Sequence, residues 1–354
     1  MKPETSTAFA QRLGMDLPLI QGPFGGGLST VELTATVSNN GGLGSYGAHN
    51  LEGDGVAQII ASIKSQTDRA FAVNLWVGDH DQGGDDMSLE TFQRAWQFYE
   101  PYFREFGLEQ PEPPLHYHPK FDSQIDALIE ARPNAFSFVF GIPSAAILEK
   151  CRKSGIVTIG AATTPAEVEA LDTAGVDAIV ASGFEAGGHR PSFIDRAEDS
   201  LMGTAVLVRL ASKKTAKPII AAGGIADATG IRSALGAGAQ AAQLGTAFIA
   251  CKESGTADIH RDALFSGRTS RTVLTRSYTG RLARGIPNRV IAEFDQRASE
   301  LPPFPIHGWF VGKLKAAAMA ANIEDFVSLY AGQAAPLLEH RTASELVAAI
   351  RAEL

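Results

Sequence analysis

A chain of 354 residues is longer than the roughly 250 of a bare eightfold βα barrel, so a barrel reading must place surplus chain as insertions or a small second domain. Hydrophobic residues at 45% and charged residues at 20% lie near globular averages and argue against a disordered chain or a membrane protein. A net charge of −8 disfavours a nucleic-acid surface, which needs clustered Lys and Arg.

From Met1 to Leu13 there is neither the basic nor the apolar region of an export signal, and no later apolar run approaches a membrane span. A cytoplasmic protein without membrane contact is therefore expected. Short apolar runs ending in Gly or Ala then alternate with helical patterns, as repeated βα units around a parallel sheet require. Eight runs are read as strands: Leu17 to Gln21, Leu43 to Tyr46, Ala70 to Leu75, Ala135 to Phe140, Ile156 to Gly160, Ala178 to Ala181, Pro218 to Ala222 and Ala241 to Gly245. Their near-continuous hydrophobicity suits burial on both faces, and their even spacing favours a closed TIM-type (β/α)8 barrel over a long open sheet.

The spacing breaks at about 78–119, where Asp85, Asp86, Pro111, Pro113 and Pro114 interrupt an aromatic stretch; this reads as an excursion above the barrel, with Asp85 and Asp86 as a solvated turn. The barrel accordingly spans 1–254. A segment at 255–308, rich in Arg, Thr, Gly and Pro, is expected to form a cap over the active face. The tail at 309–354 reads as helices packing on the barrel, with Ala316 to Ala321 a strong helix former and Thr342 to Glu345 a capping box.

Gly42, Gly44 and Gly47 match GxGxxG, but a helical pattern from Thr30 to Ser38 precedes them. A dinucleotide fingerprint follows a strand and opens a helix, so Gly41 or Gly42 is read as a helix C-cap instead. Cys151 and Cys251 are too few and too far apart for a disulfide framework or a Cys-based zinc site, and read as buried apolar residues. His116 and His118 lack the further ligands of a metal centre, so no metal is expected.

The strongest chemical signal is the pair Ala221 to Asp227, containing Gly223 and Gly224, and Gln243-Leu244-Gly245-Thr246, each at the end of an apolar strand. Glycines let main-chain N–H groups approach an anion, a following helix N-terminus adds a favourable dipole, and barrels place a phosphate site after strands seven and eight. After the sixth strand, the loop Ser182 to Arg190 combines flexible backbone with Glu185 and His189. A histidine at a strand's C-terminal end lies where barrels put catalytic groups, and Glu185 is a candidate to orient it.

These residues carry a resemblance. Leu19 to Pro23, Gly25 to Thr30, Val73-Asn74-Leu75, Gly183 to His189, Ala222 to Asp227 and Gln243 to Thr246 are similar to the nitronate monooxygenase family, formerly called 2-nitropropane dioxygenases; so are Leu274 to Arg276, Gly280-Arg281, Asn288 and Tyr330 to Gln333. The resemblance implies an FMN-binding barrel with a smaller cap domain. It implies that Gln21, Gly22 and Pro23 line the flavin, that Asn74 faces its ring, and that Gly187, Gly224, Gln243, Gly245 and Thr246 hold ring, ribityl chain and phosphate. Ser182, Gly183, Gly188, Gly223 and Leu244 belong to the same candidate FMN site, and His189 matches the catalytic histidine.

This chain departs from the family pattern twice, with Ser182 where many members carry Gln and Val139 where many carry a second active-site His. The implied reaction is oxidation of an alkyl nitronate, such as propionate 3-nitronate, by O2 to a carbonyl compound and nitrite. The expected partners are a small-molecule substrate and O2, with neither nucleic acid nor membrane, and a homodimer is allowed but not required. The alternatives are an FMN-dependent NAD(P)H enoyl-ACP reductase and a flavin-binding sensor without turnover; a phosphosugar isomerase would rest on the barrel alone.

Overall fold

The computed structural model describes residues 7–78 and 88–354, so Asp85 and Asp86 lie outside the described residues. The eight expected strands all form, with ends that differ by one or two residues. They are Leu19–Gln21, Gly44–Gly47, Phe71–Trp76, Ala135–Val139, Val157–Ala162, Ala178–Ser182, Ile219–Ala222 and Ala241–Leu244, numbered below as barrel strands one to eight.

Every neighbouring pair is parallel, in the order 1-8-7-6-5-4-3-2. The ring closes between strands one and two, where the Leu43 amide donates to Leu19 at 2.9 Å and the Leu43 carbonyl accepts from Gln21 at 3.0 Å. The register lines up Ser182, Ala222 and Gln243 on strands six, seven and eight, and Gly47, Asn74 and Ser137 on strands two, three and four. Residues far apart in sequence thus share one rim at the C-terminal ends of the strands.

Alternation along each strand separates two apolar layers. Outward residues such as Val73, Leu75, Phe136, Phe138 and Ile179 pack against the surrounding helices. The inward layer mixes Ile20, Ile159, Val180 and Ile220 with many small residues, including Ala72, Ala135, Ala161, Ala178, Ala222 and Ala241. The helix Ala8–Arg12 plugs the N-terminal end with Phe9 and Ala10, followed by Leu13 and Met15, and is tied there by Thr7 Oγ1 donating to the Gln240 carbonyl at 2.7 Å. With the bottom plugged, the small residues at the upper level leave room at the other end, where Ala161 and Ala222 form part of a cavity floor.

Helix signals behave as their chemistry predicts. Thr30 caps the helix Val31–Asn39 by accepting from the Leu33 amide at 2.9 Å, and Gly41 takes the left-handed φ of 88° that ends it. Thr342 caps Ala343–Glu353 through the Glu345 amide, and that helix packs on the barrel. The helix Ile306–Ala320 packs elsewhere: Phe310, Val311 and Leu314 join Phe92, Trp96 and Tyr99 of the helix Leu89–Glu105 in a separate aromatic core. Both cysteines are buried. Among the described residues no helix is long and apolar enough to cross a membrane.

Candidate active site

A cavity of about 690 Å³ opens at the C-terminal end of the barrel, between the strand ends and the helix Ile306–Ala320. No Asp or Glu is among the described residues that line it, although the chain as a whole is acidic, and Lys315 is the sole Lys or Arg in its wall. The described lining suits anions, because it carries a Lys and no carboxylate that would repel negative charge.

On one side the strand seven and strand eight ends form a cradle. Gly223 and Gly224 take φ of 110° and 70°, conformations that a Cβ disfavours, and a Cβ on Gly223 would lie 2.9 Å from both the Ala186 amide and Thr204 Oγ1. The amides of Gly223, Gly224, Gly245 and Thr246 meet no acceptor among the described residues. Unsatisfied N–H groups beside a cavity are available to water or a ligand, and four together suit an oxyanion. After strand seven, Asp227 caps the helix Ala228–Gly236 by accepting from the Gly230 amide at 2.7 Å, whereas after strand eight Gly245 and Thr246 themselves open the short helix Thr246–Ile249.

The loop after strand six is held in shape from beneath. Arg190 is 1% exposed and donates to the carbonyls of Ser182, at 3.0 Å, Gly183 and Ser200. Burial lowers its pKa to about 10, leaving it cationic at neutral pH. Glu167, fully buried, accepts from the Phe193 amide at 2.6 Å and from Thr163 Oγ1 at 2.7 Å, which fastens the far end of the loop to strand five. Gly188 and His189 then pair antiparallel with Arg284 and Ala283, so chain from the 255–308 segment grips the histidine's backbone.

His189 lies in the cavity wall with Nε2 2.7 Å from Thr279 Oγ1. Burial, and secondarily the positive charge of Arg281, push its pKa down to about 3, so the imidazole is neutral at neutral pH. Glu185 does not orient it. That carboxylate instead accepts from the Thr204 amide and, at 2.8 Å, from Thr204 Oγ1.

Several wall residues were not singled out from sequence. His49, two residues beyond strand two, stacks on Trp76 at 3.8 Å, and Trp76 meets His189 edge-on at 5.0 Å. Burial first, then the charges of His189, Arg281 and His118, lower His49 to about 3. Phe140 sits at φ 65°, a backbone strain of about 1–3 kcal/mol for a non-glycine residue, and carries the Arg281 guanidinium 3.6 Å over its ring. Val139 removes one histidine from the wall, as expected, yet His49 and His118 supply two others.

Of the expected site residues, Gly22, Pro23, Asn74, Ser182, Gly187, Gly188, Gly223, Gly224, Gln243, Gly245, Thr246 and His189 are brought together around the cavity. Gln21, Gly183 and Leu244 do not line it. The Gln21 side chain is fully buried and bonds the Ser45 amide and carbonyl, which locks strand one to strand two. A Cβ on Gly183 would meet Thr204 and Glu185, so its glycine serves packing beneath the loop, and Leu244 belongs to the outer apolar layer. Asn74 donates to Ser137 Oγ at 3.0 Å on the rim.

Residues 7–353 match the family model for nitronate monooxygenase. Nitronate monooxygenase of Pseudomonas aeruginosa is 40% identical over 353 residues, covering 98% of this chain and 98% of that protein. Among solved structures, nitroalkane oxidase from Streptomyces ansochromogenes is similar with a TM-score of 0.87 at 33% identity, covering 98% of this chain and 97% of the other. FabK from Thermotoga maritima is similar with a TM-score of 0.75 at 25% identity, covering 98% and 95%.

Proposed function

The chain belongs to the nitronate monooxygenase family, and we propose on that premise that His189, Thr279 and the glycine cradle carry out its chemistry. The protein is an FMN-dependent enzyme that oxidises nitronates with O2 to a carbonyl compound and nitrite. The observation that best supports this assignment of roles is that four unpaired amides and a neutral histidine border one cavity with no carboxylate among its described lining residues.

These residues fit the cofactor. The amides of Gly223, Gly224, Gly245 and Thr246 would hold its phosphate, and Asn74, Ser182 and Gln243 on the rim would meet its polar edge. When bound, FMN supplies the redox chemistry, accepting electrons from the nitronate and passing them to O2. A nitronate is already an anion and needs no proton removed. His189, neutral, would position it by hydrogen bonding, and Arg281 behind the aromatic wall would favour the negative charge. With a neutral nitroalkane the same imidazole is already in the form that accepts a proton from carbon. We take the segment 255–308, together with the helices Leu89–Glu105 and Ile306–Ala320, as the cover that limits water at the site, and the cytoplasm as its place of work.

A reductase reading would require NAD(P)H. The GxGxxG match is no dinucleotide site, because Gly44 packs against the Thr34 carbonyl at the start of strand two. We expect oxygen uptake and nitrite release with propionate 3-nitronate, and no oxidation of micromolar NADH on the same time scale with or without an enoyl thioester. Rapid NADH consumption in stopped-flow mixing would move the enzyme to the reductase class.

A further inference from the structure

His49 has no part in the chemistry above, yet its ring is fixed on more than one side. Trp76 stacks on one face at 3.8 Å with the planes 10° apart, and a Cβ on Gly25 would collide with its Cε1, so the glycine is what admits the ring. The backbone is tied as well: the side-chain amide of Gln124, a buried residue, donates to the carbonyls of His49 at 2.9 Å and Leu51 at 2.6 Å.

Of the three histidines in the cavity wall, His118 has the Pro119 carbonyl and His189 has Thr279, whereas the His49 ring makes no hydrogen bond with any described residue. Its Nδ1 is sealed from solvent and unpartnered, and burial keeps the ring neutral at neutral pH. A neutral imidazole carries one proton, and a buried N–H without an acceptor is rarer and costlier than a bare lone pair. The proton therefore sits on Nε2. That nitrogen is not sealed, and protein encloses the ring except toward the cavity, so Nε2–H is a donor held at the cavity surface. With its lone pair sealed, His49 can give a hydrogen bond there but cannot take a proton.

Strand register sets the height of this donor. Gly47, Asn74 and Ser137 share the rim that would meet the flavin's polar edge, and Trp76 lies two residues beyond Asn74, about 6–7 Å further out along strand three. The stack puts His49 beside Trp76 at that outer level, and His189 meets the same indole edge-on at 5.0 Å. Val139, the register neighbour of Trp76, offers no polar group there. The cofactor's phosphate has the strand seven and eight amides. A donor at the level of His189 therefore suits the polar head of the substrate.

We propose that His49 is a substrate-binding residue whose Nε2–H donates to a nitro oxygen, leaving to His189 the removal of any carbon proton. This rests on the nitronate-oxidising reading of the site. The test compares wild type with His49→Leu, which removes the donor, and His49→Gln, whose side-chain amide keeps an N–H near the place of Nε2. Both variants lose the stack on Trp76, so the difference between them reads the donor. His49→Leu should raise KM on the order of 10- to 100-fold with little change in kcat, and His49→Gln should recover most of that loss. The effect should be alike for propionate 3-nitronate and butyl-1-nitronate, because the head and not the tail is held. FMN retention after purification should be the same in all three proteins. Should thermal melting show that His49→Leu does not fold, His49→Asn, polar but too short to reach the cavity, takes its place with the same expected loss.

An unchanged KM without the donor, no recovery in His49→Gln, or loss of FMN from a folded variant would overturn the proposal, the last by assigning the ring to the cofactor. Butyrate, whose carboxylate matches the nitronate head in shape, gives a readout without turnover. Its perturbation of the flavin spectrum should need 10- to 100-fold more ligand in His49→Leu, on the same order as the KM effect, and return toward wild type in His49→Gln. If wild type oxidised neither nitronate while butyrate binding still depended on His49, the nitronate reading would fail and the oxyanion donor would stand; butyrate binding indifferent to His49 would remove the donor itself.

Discussion

Gly245→Val should give folded, colourless protein. A Cβ at Gly245 meets only Phe24, at 3.9 Å, and its φ of −99° is open to any residue, so the protein itself has room for a side chain there. What the valine would fill is the cavity space beside the Thr246 amide, where the phosphate is expected. Gly224→Val should be colourless as well, but with added strain, because its φ of 70° is left-handed, although its Cβ would only touch Glu185 at 3.4 Å. The pair separates loss of the cradle from loss of the fold. Flavin absorbance after purification and thermal melting of each variant give the two readouts. Wild-type flavin occupancy in Gly245→Val would remove the strand eight loop from the phosphate site.

The second large effect concerns His189→Asn, which keeps a polar group in the wall but removes the imidazole base. With a neutral nitroalkane the loss should reach about 10² to 10⁴ in kcat/KM, the usual contribution of a positioned general base. With a preformed nitronate the loss should be smaller, since only positioning is removed. Because burial holds His189 neutral down to about pH 3, kcat/KM for the nitronate should show no inflection near the ordinary histidine value of about 6.5. Equal losses on both substrates would reject the base role, and no loss on either would remove His189 from the reaction. A Thr279→Val variant should fall between wild type and His189→Asn, as its hydroxyl is the hydrogen-bond partner found at Nε2.

Much of this site could be read from sequence because barrels gather function at strand ends, and strand ends leave local marks. The runs Ile219–Ala222 and Ala241–Leu244 are apolar and are followed at once by Gly223-Gly224 and Gly245, so both halves of the cradle were visible. His189 was found by the same rule. That rule applied more widely would have found Trp76, the last residue of strand three, and His49, two residues past strand two.

Other assignments failed where local spacing carries no information on direction. Gln21 sits at a strand end, but alternation and the closure of the barrel turn its amide onto Ser45. Glu185 is close to His189 in sequence, while the loop held by Arg190 sends its carboxylate to Thr204. Thr279 and Lys315 come from chain after the barrel, and their places depend on how the aromatic core of Leu89–Glu105 and Ile306–Ala320 seats that chain over the cavity. Gly308, Gly312 and Ala316, which line the cavity from that helix at a spacing of four residues, were a local sign of it.

Anaerobic mixing of the purified yellow protein with propionate 3-nitronate, followed by visible absorbance, tests the central claim most directly. The flavin should bleach within the turnover time, and admission of O2 should restore the colour with release of nitrite. A flavin that stays oxidised with the nitronate but bleaches rapidly with NADH would contradict the account.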